Sequence, residues 1–428
     1  TPAHLGLSQK KRIAMRTVWL WCALLPVLCV TVPVQFLIIA DPHLDPYYGR
    51  AQGYRCNTSV SAPEGQFGCD SPPVLVHAAL RHAKEVVPSP AFVLVLGDLV
   101  RHYEDRMDRG PLDVMHDVVH QISETFPHFK GPGGGIVGLL GNSDMKRDYF
   151  LDVRERPNRY LHAAANAWDT VLSPWERAAF ARRGGYWREV VPDVVVVVMN
   201  TIVYSVEHAP DSTGERDPLG QFAGMRRMLQ RVRARNATAY IVGHIPPCVD
   251  DYRRRSMWRA PYVRRYVRMV REFHSIIGGQ FFGHLHNNQV RAFPPEWGLR
   301  SPLYVFQAVS PVFANLPAFH AVTLDPACGG VTAIDTYSAA LAAPLRWGLQ
   351  QSNPRFLGMA DLTNAAWRRL AGALRTDDGL WRAFQFHVDG RASLHPPSTP
   401  GARPSCVGQC RWDTVCLLLH FLPEDFKA

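Results

Sequence analysis

A chain of 428 residues is long enough for one large domain with additions, or for two domains. With 47% hydrophobic and 20% charged residues a packed core is within reach, which excludes a chain that is disordered throughout. The formal net charge of +10 comes largely from arginine; it either reflects compositional bias or serves to concentrate polyanions such as phosphate chains, nucleic acid or anionic lipid head groups.

The N-terminus reads as a targeting segment. Lys10, Lys11, Arg12 and Arg16 precede an apolar run from Val18 to about Val34, interrupted by Pro26 and Thr31. A basic flank before so short a run resembles a signal peptide, and ~17 apolar residues also suffice for a signal anchor. Residues 1–34 are therefore expected to be a leader into the secretory lumen, cleaved near Cys29 to Thr31 or kept as a membrane anchor. Beyond Cys22 and Cys29 in the leader, the cysteines are Cys56, Cys69, Cys248, Cys328, Cys406, Cys410 and Cys416, and none forms a CxxC pair. Disulfides are expected rather than structural zinc, with Cys56 and Cys69 close enough to close one loop. Asn57-Thr58-Ser59 and Asn236-Ala237-Thr238 fit glycosylation acceptors.

Phe36 to Ile39 is an apolar run of the kind found in a strand buried on both faces, and Pro42 ends it. Asp41 and His43 thus stand at the carboxyl end of a central strand, where open α/β sheets place their ligands. A helix is expected from Pro73 to about Val87, with proline suiting its first turn. Ala91 to Leu96 reads as a second buried strand and ends Gly97-Asp98. Residues 112–126 have helical spacing. Gly133 to Gly135 lack the lysine and helix of a phosphate-binding loop, and instead lead into a third strand, Ile136 to Leu140, ending Gly141-Asn142-Ser143. One helix is expected over 160–183, a valine strand over 194–198, a helix over 222–235, and a strand over 239–242 ending Gly243-His244. From Pro261 to Phe273 apolar residues keep helical spacing, while Arg264, Arg265, Arg268 and Arg271 share the other face. A sixth strand ends Gly283-His284-Leu285-His286, and further strands are expected at 303–308, 320–324 and 331–337. The texture then changes. Trp367, Leu370, Leu374, Trp381 and Phe384 suggest packing helices in a C-terminal region, 339–428, with a Pro/Ser/Gly linker at 394–404 and Cys406, Cys410 and Cys416 in its tail.

Five separate strands therefore end in metal-competent side chains: Asp41 and His43, Asp98, Asn142, His244, then His284 and His286. One such ending is unremarkable, but five, most of them beside glycine, are hard to produce by core packing. Nitrogen and oxygen donors without sulfur suit zinc first, then manganese or iron, with magnesium and cobalt as further candidates. Seven ligands are too many for one ion and suit two that share a carboxylate. Two cations ~3.5–4 Å apart make water nucleophilic and clamp the oxygens of an in-line displacement at phosphorus.

The ordered set Asp-x-His, Gly-Asp, Gly-Asn, Gly-His and Gly-His-x-His resembles the calcineurin-like metallophosphoesterase superfamily. The resemblance implies a four-layer α/β/β/α sandwich over residues 35–338, with Asp41, His43 and His286 on one divalent ion, Asn142, His244 and His284 on the other, and Asp98 bridging. Gly243-His-Ile-Pro-Pro247, Asn315-Leu-Pro-Ala-Phe319 and the spaced tail cysteines are similar to the branch that holds acid sphingomyelinases and endopolyphosphatases. Asp41-Pro-His-Leu-Asp-Pro-Tyr47 and Gly97-Asp-Leu-Val-Arg-His102 followed by Asp105 lean toward endopolyphosphatase. Many relatives have histidine after the metal-binding asparagine, where this chain has Ser143. His102 matches the family's other catalytic histidine and is expected to be the general acid, with Asp98 and Asn142 also in the catalytic set.

The expected activity is hydrolysis of the phosphoanhydride bonds of inorganic polyphosphate in an acidic, vacuole-like organelle. Arg101 and the arginines of 253–271 are the expected contacts to this polyanionic substrate. The alternative is an acid sphingomyelinase-like phosphodiesterase acting on a phospholipid or nucleotide, which needs an apolar lip around the groove. A third reading, a membrane-anchored binding protein with a dead site, rests on Ser143 alone. No motif specific for nucleic acid is evident.

Overall fold

The computed structural model describes residues 33–49, 56, 62–102, 107–251, 253–390, 408–422 and 424. The leader up to residue 32, the acceptor at Asn57, Asp105, the linker at 394–404 and Cys406 lie outside the described residues. In chain order one sheet takes β1 (Val34–Ile39), β2 (Val93–Val95) and β3 (Ile136–Gly138). The other takes β4 (Trp187–Val191), β5 (Val194–Val198), β6 (Thr238–Val242), β7 (Ile277–Phe282), β8 (Gln289–Arg291) and β9 (Leu303–Val305). The chain then returns to the first sheet with β10 (Ala318–Asp325), β11 (Gly330–Ala340) and β12 (Arg346–Asn353). The sheet orders are β12-β11-β10-β1-β2-β3 and β4-β5-β6-β7-β9-β8.

The apolar runs decide the centres of both sheets. β1 is buried from Phe36 onward, pairs in parallel with β2, and pairs antiparallel with β10. Helices Pro73–Val86 (α1) and Pro111–Thr125 (α2) make the two crossovers that keep β1, β2 and β3 parallel, and each opens on the proline its first turn accepts. The sheets face one another through aromatic rings: Phe36 of β1 lies 5.9 Å from both Tyr240 of β6 and Phe281 of β7. On the outer face of the second sheet, Gln221–Ala234 (α5) buries Phe222, Met225, Leu229 and Val232, and Ala260–Glu272 (α6) buries Tyr262, Tyr266 and Val270. The result is the expected α/β/β/α sandwich.

Three differences have physical reasons. The single helix expected over 160–183 is two, Arg159–Ala167 (α3) and Pro174–Arg183 (α4). Pro174 cannot donate to a preceding turn, and the Glu176 carboxylate accepts from the Ser173 amide at 2.8 Å, which starts a new helix there. β4 was not expected because Arg188 and Glu189 break its apolar pattern; Arg188 is nonetheless buried, donating to Glu176 at 2.7 Å. β12 lies in the segment expected to be helical, and the helices there begin only at Asn364–Ala373 (α7), followed by Asp378–Asp389 (α8) and Gln409–Leu419 (α9).

α8 is tied to the sandwich by its last carbonyls. Those of His387 and Val388 accept from Asn288, just past the sixth strand's histidines, and that of Asp389 accepts from the Leu316 amide. Cys56 and Cys69 form a disulfide, and Cys410 is also disulfide-bonded. Among the described residues, no helix is long and apolar enough to cross a membrane.

Candidate metal centre

The seven expected ligands sit where β1, β2, β3, β6 and β7 end. Five of them have left-handed backbones: Asp41 (φ 46°), His43 (φ 38°), Asp98 (φ 51°), His284 (φ 72°) and His286 (φ 58°). Such conformations cost on the order of 1–3 kcal/mol each and persist only where the surroundings fix them. Here the adjoining glycines explain how. A Cβ on Gly141 would lie 2.0 Å from Asp98 Oδ1, and one on Gly283 would lie 2.5 Å from Asp41 Oδ2. Each glycine thus makes room for the carboxylate of a neighbouring strand, so the strand ends close on one point.

Asp41, His43 and His286 converge as one trio, and Asp98, His244 and His284 as a second, the donor atoms within each lying no more than 4.8 Å apart. Asp98 Oδ2 stands between them, 3.4 Å from His43 Nε2 and 3.0 Å from His244 Nε2. Asn142 Oδ1 is 3.1 Å from His244 Nε2, and its amide nitrogen donates to Asp148 Oδ1, which turns the oxygen toward the cluster. Backbone carbonyls fix two tautomers. His43 Nδ1–H donates to Val100 O at 2.9 Å and His244 Nδ1–H to Leu96 O at 2.7 Å, so both Nε2 lone pairs face inward.

The donor set fits cations. Asp41 is fully buried and its Oδ2 has no hydrogen-bond partner, nor has Nδ1 of buried His286. Nε2 of His43 lies 3.1 Å from Nε2 of His286, and His284 Nδ1 lies 3.2 Å from His244 Nε2. Neutral imidazole nitrogens facing each other at this distance repel unless a proton or a metal ion sits between them. The electrostatics of the site express the same need. Burial pushes Asp41 up to about 8 and His43 down to about 4. Burial also opposes charge on His244, but Asp98 outweighs it and lifts the imidazole to about 9, a proton standing where a metal would.

His102 lies against this cluster, its ring stacked on His43 at 4.1 Å. Asp70 accepts from both its Nδ1–H, at 2.9 Å, and its backbone amide, at 3.0 Å. Burial disfavours charge on His102, but Asp70 outweighs it and raises the ring to about 9. Arg101, expected to contact substrate, is instead 3% exposed: it donates to Asp45 Oδ1 at 3.1 Å and to the His102 carbonyl at 2.9 Å, bracing the loop. The arginine run is also engaged. Arg254 pairs with Asp413, Arg259 with Asp211, Arg264 with Glu424 and Arg265 with Asp217.

Several contributors escaped the sequence reading. Asp144 accepts backbone amides of Asp98, Leu99, Val100 and Gly141 at 2.7–3.1 Å, joining the ends of β2 and β3. It lies one residue past Ser143, whose amide donates to Asp98 Oδ1 at 2.8 Å. Asp70 directly follows disulfide-bonded Cys69, and that was its only signal. Tyr149 places its hydroxyl 3.4 Å from His284 Nε2. Phe313 is 55% exposed, with its ring centroid 4.7 Å from that of His286 and 5.7 Å from that of His102.

No protein-family model matches the chain. It is 27% identical to an acid sphingomyelinase-like phosphodiesterase 3b from Mus musculus over 90% of this chain and 87% of that one. It is also 27% identical to a cyclic GMP-AMP phosphodiesterase, SMPDL3A, from Bos taurus, over 90% of this chain and 88% of that one. An endopolyphosphatase from Schizosaccharomyces pombe is 26% identical over 67% of this chain and 54% of its own length. These homologues are acid sphingomyelinase-like phosphodiesterases and endopolyphosphatases, and the chain is similar to that branch of the metallophosphoesterases. The homologues of both kinds are hydrolases, and the two histidine–carboxylate trios of this chain suit a pair of divalent metal ions.

Proposed function

We propose that the chain is a dimetal phosphodiesterase whose substrate carries an apolar or aromatic group beside the scissile phosphate. The observation that carries this is Phe313, a large apolar ring that is half exposed while seated on the rings of His286 and His102. A polyphosphate chain offers nothing to such a ring and wants cations, whereas Arg101 and five of the eight arginines at 253–271 are already paired with carboxylates. The phosphodiesterase relatives align over most of their length, and this supports the same reading.

Asp41, His43 and His286 would hold one divalent ion, Asn142, His244 and His284 the other, and Asp98 both. Bound there, the two ions supply an activated water and neutralise charge building on phosphoryl oxygens. The protein's own residues do the rest. Val100 and Leu96 carbonyls hold His43 and His244 in the tautomer that presents Nε2. Asp70 holds the His102 proton on Nδ1, so in the imidazolium the second proton is on Nε2, ready to pass to the leaving oxygen. Ser143, where many relatives have histidine, is buried with its hydroxyl beside the Asn142 amide nitrogen, which leaves His102 as the proton donor in this reading.

The disulfides at Cys56–Cys69 and Cys410 suit an oxidising lumen, consistent with a secretory or lysosomal location. The test offers purified, metal-loaded protein long-chain polyphosphate, a nucleotide diester and sphingomyelin side by side. Cleavage of one diester with little attack on polyphosphate is expected. Turnover of polyphosphate alone would overturn the proposal.

A further inference from the structure

α4, α5, β4 and β5 line a cleft of about 430 Å³ that shares no residue with the metal centre. Four arginines line it: Arg182 and Arg183 in the last turn of α4, and Arg227 and Arg231 one turn apart on α5. Its wall is aromatic, with Trp175, 45% exposed, and Trp187 packed at 4.7 Å between ring centroids. Small residues on both helices leave it open. A Cβ added to Gly224 of α5 would come 3.8 Å from Nη1 of Arg183, so the Arg183 guanidinium lies across the gap.

The arginines on the same helix divide sharply. Arg226 pairs with Glu272, and Arg235, which caps α5, pairs with Glu189 and Asp193. Arg182, Arg183, Arg227 and Arg231 have no ion-paired carboxylate among the described residues. Gathering like charges is unfavourable, and the i, i+4 placement of Arg227 and Arg231 adds to that. A surface evolved only for solubility would intersperse acids, as the Arg226 and Arg235 side of α5 does. Planar guanidinium groups are the side chains best matched to phosphate oxygens.

We infer that this cleft is a binding site for a phosphate-rich anion, with the four arginines taking the phosphates and Trp175 packing against the group that carries them. A volume in the range of about 300–1,000 Å³ accommodates a small molecule or a lipid head group rather than a single phosphate. Burial, then Arg182 and Arg227, depress Arg183 below its usual value, which an arriving anion would reverse. A soluble polyphosphate and a phosphoinositide head group present the same chemistry, so the test separates them.

Full-length protein is titrated with inorganic tripolyphosphate, and separately with phosphatidylcholine vesicles containing phosphatidylinositol bisphosphate. Calorimetry and the part of the tryptophan emission change that Trp175→Phe abolishes report binding, and the R183Q/R227Q variant is compared with R226Q/R235Q, which loses the same net charge at paired positions. The expected result is a Kd raised about ten-fold or more by R183Q/R227Q for at least one probe, and changed far less by R226Q/R235Q. Turnover of a p-nitrophenyl phosphodiester should be unchanged in R183Q/R227Q, and a melting temperature near that of wild type shows that the variant folds. Equal effects of the two double variants would reduce the cleft to net charge and overturn the inference. So would an unchanged Kd for both probes.

Discussion

The metal centre and the arginine cleft each gather groups that lack their counter-charge, and they do so by opposite means. At the metal centre the donors are largely buried, stand at five strand ends, three of which carry left-handed backbone, and are aimed by carbonyls and amides. In the cleft the cations are long side chains on two helix surfaces, held by little beyond their own rotamers. A buried site of the first kind is preorganised and intolerant of change. An exposed site of the second kind tolerates change, and its affinity depends on salt.

The largest effect follows from the most deeply shared ligand. In Asp98→Ala both histidine trios lose the oxygen that links them, so metal content per chain should fall by about half or more. Turnover should drop by well over ~10²-fold, since even residues behind the ligands commonly cost ~10–100-fold. Wild-type turnover in this variant would break the contrast at its root. Asp144→Asn should fall within that ~10–100-fold range. Its carboxylate gathers four amides from two strand ends, and an asparagine can accept from fewer of them. Metal analysis beside kinetics separates loose ligands from lost ones.

How legible each region was in the sequence follows from the same difference. Side chains at strand ends come with apolar runs before them and glycines beside them, so Asp41, Asp98, Asn142, His244 and His284 stood out in order. Sheet order did not, because β10 to β12 return to the first sheet after six intervening strands. Asp70 and Phe313 were invisible because they sit in loops with no periodic pattern and reach the site only through the fold. Arg101 looked like a substrate contact because it lies beside Asp98 in sequence, yet its side chain turns inward to Asp45. Arginines recur along both α5 and α6, and only the positions of Glu272, Glu424, Asp217 and Glu189 distinguish paired from unpaired cations.

Buried polar groups with no charge to offset behave differently again, and pH exposes them. His320 is lowered to about 4 by burial, with the Gln307 carbonyl and Thr336 hydroxyl as its hydrogen-bond partners. His387, near the end of α8, is lowered to about 3 by burial and then by His320; its Nδ1 lies 2.9 Å from Gln351 Oε1 and 3.2 Å from Asn353 Nδ2, and Trp367 and Phe384 pack on it. Both stay neutral in the folded chain while the unfolded chain takes up protons below about 6.5. Stability is therefore lost as pH falls from about 6.5 toward 4, by up to ~1.4 kcal/mol per pH unit for each histidine. Denaturant unfolding across that range should show the slope, and His387→Gln should make it shallower by up to ~1.4 kcal/mol per pH unit. A flat profile would mean that these rings find a counter-charge in the folded state.

The smallest effect lies at the rim, where exposure makes substitution cheap and interpretation clean. Phe313 rests on His286 and His102 with more than half its surface free, so Phe313→Ala removes a contact to substrate without opening the core. An aromatic contact of ~0.5–1.5 kcal/mol corresponds to ~2- to 12-fold in KM for a diester with a ring or acyl chain. kcat should move little, because neither the ligand geometry nor the Asp70–His102 pair depends on the phenyl group. Inorganic tripolyphosphate, which has no apolar part, should be handled alike by both proteins. An equal loss on both substrates would instead assign Phe313 to packing of the histidine rings and leave the diester preference without its main support.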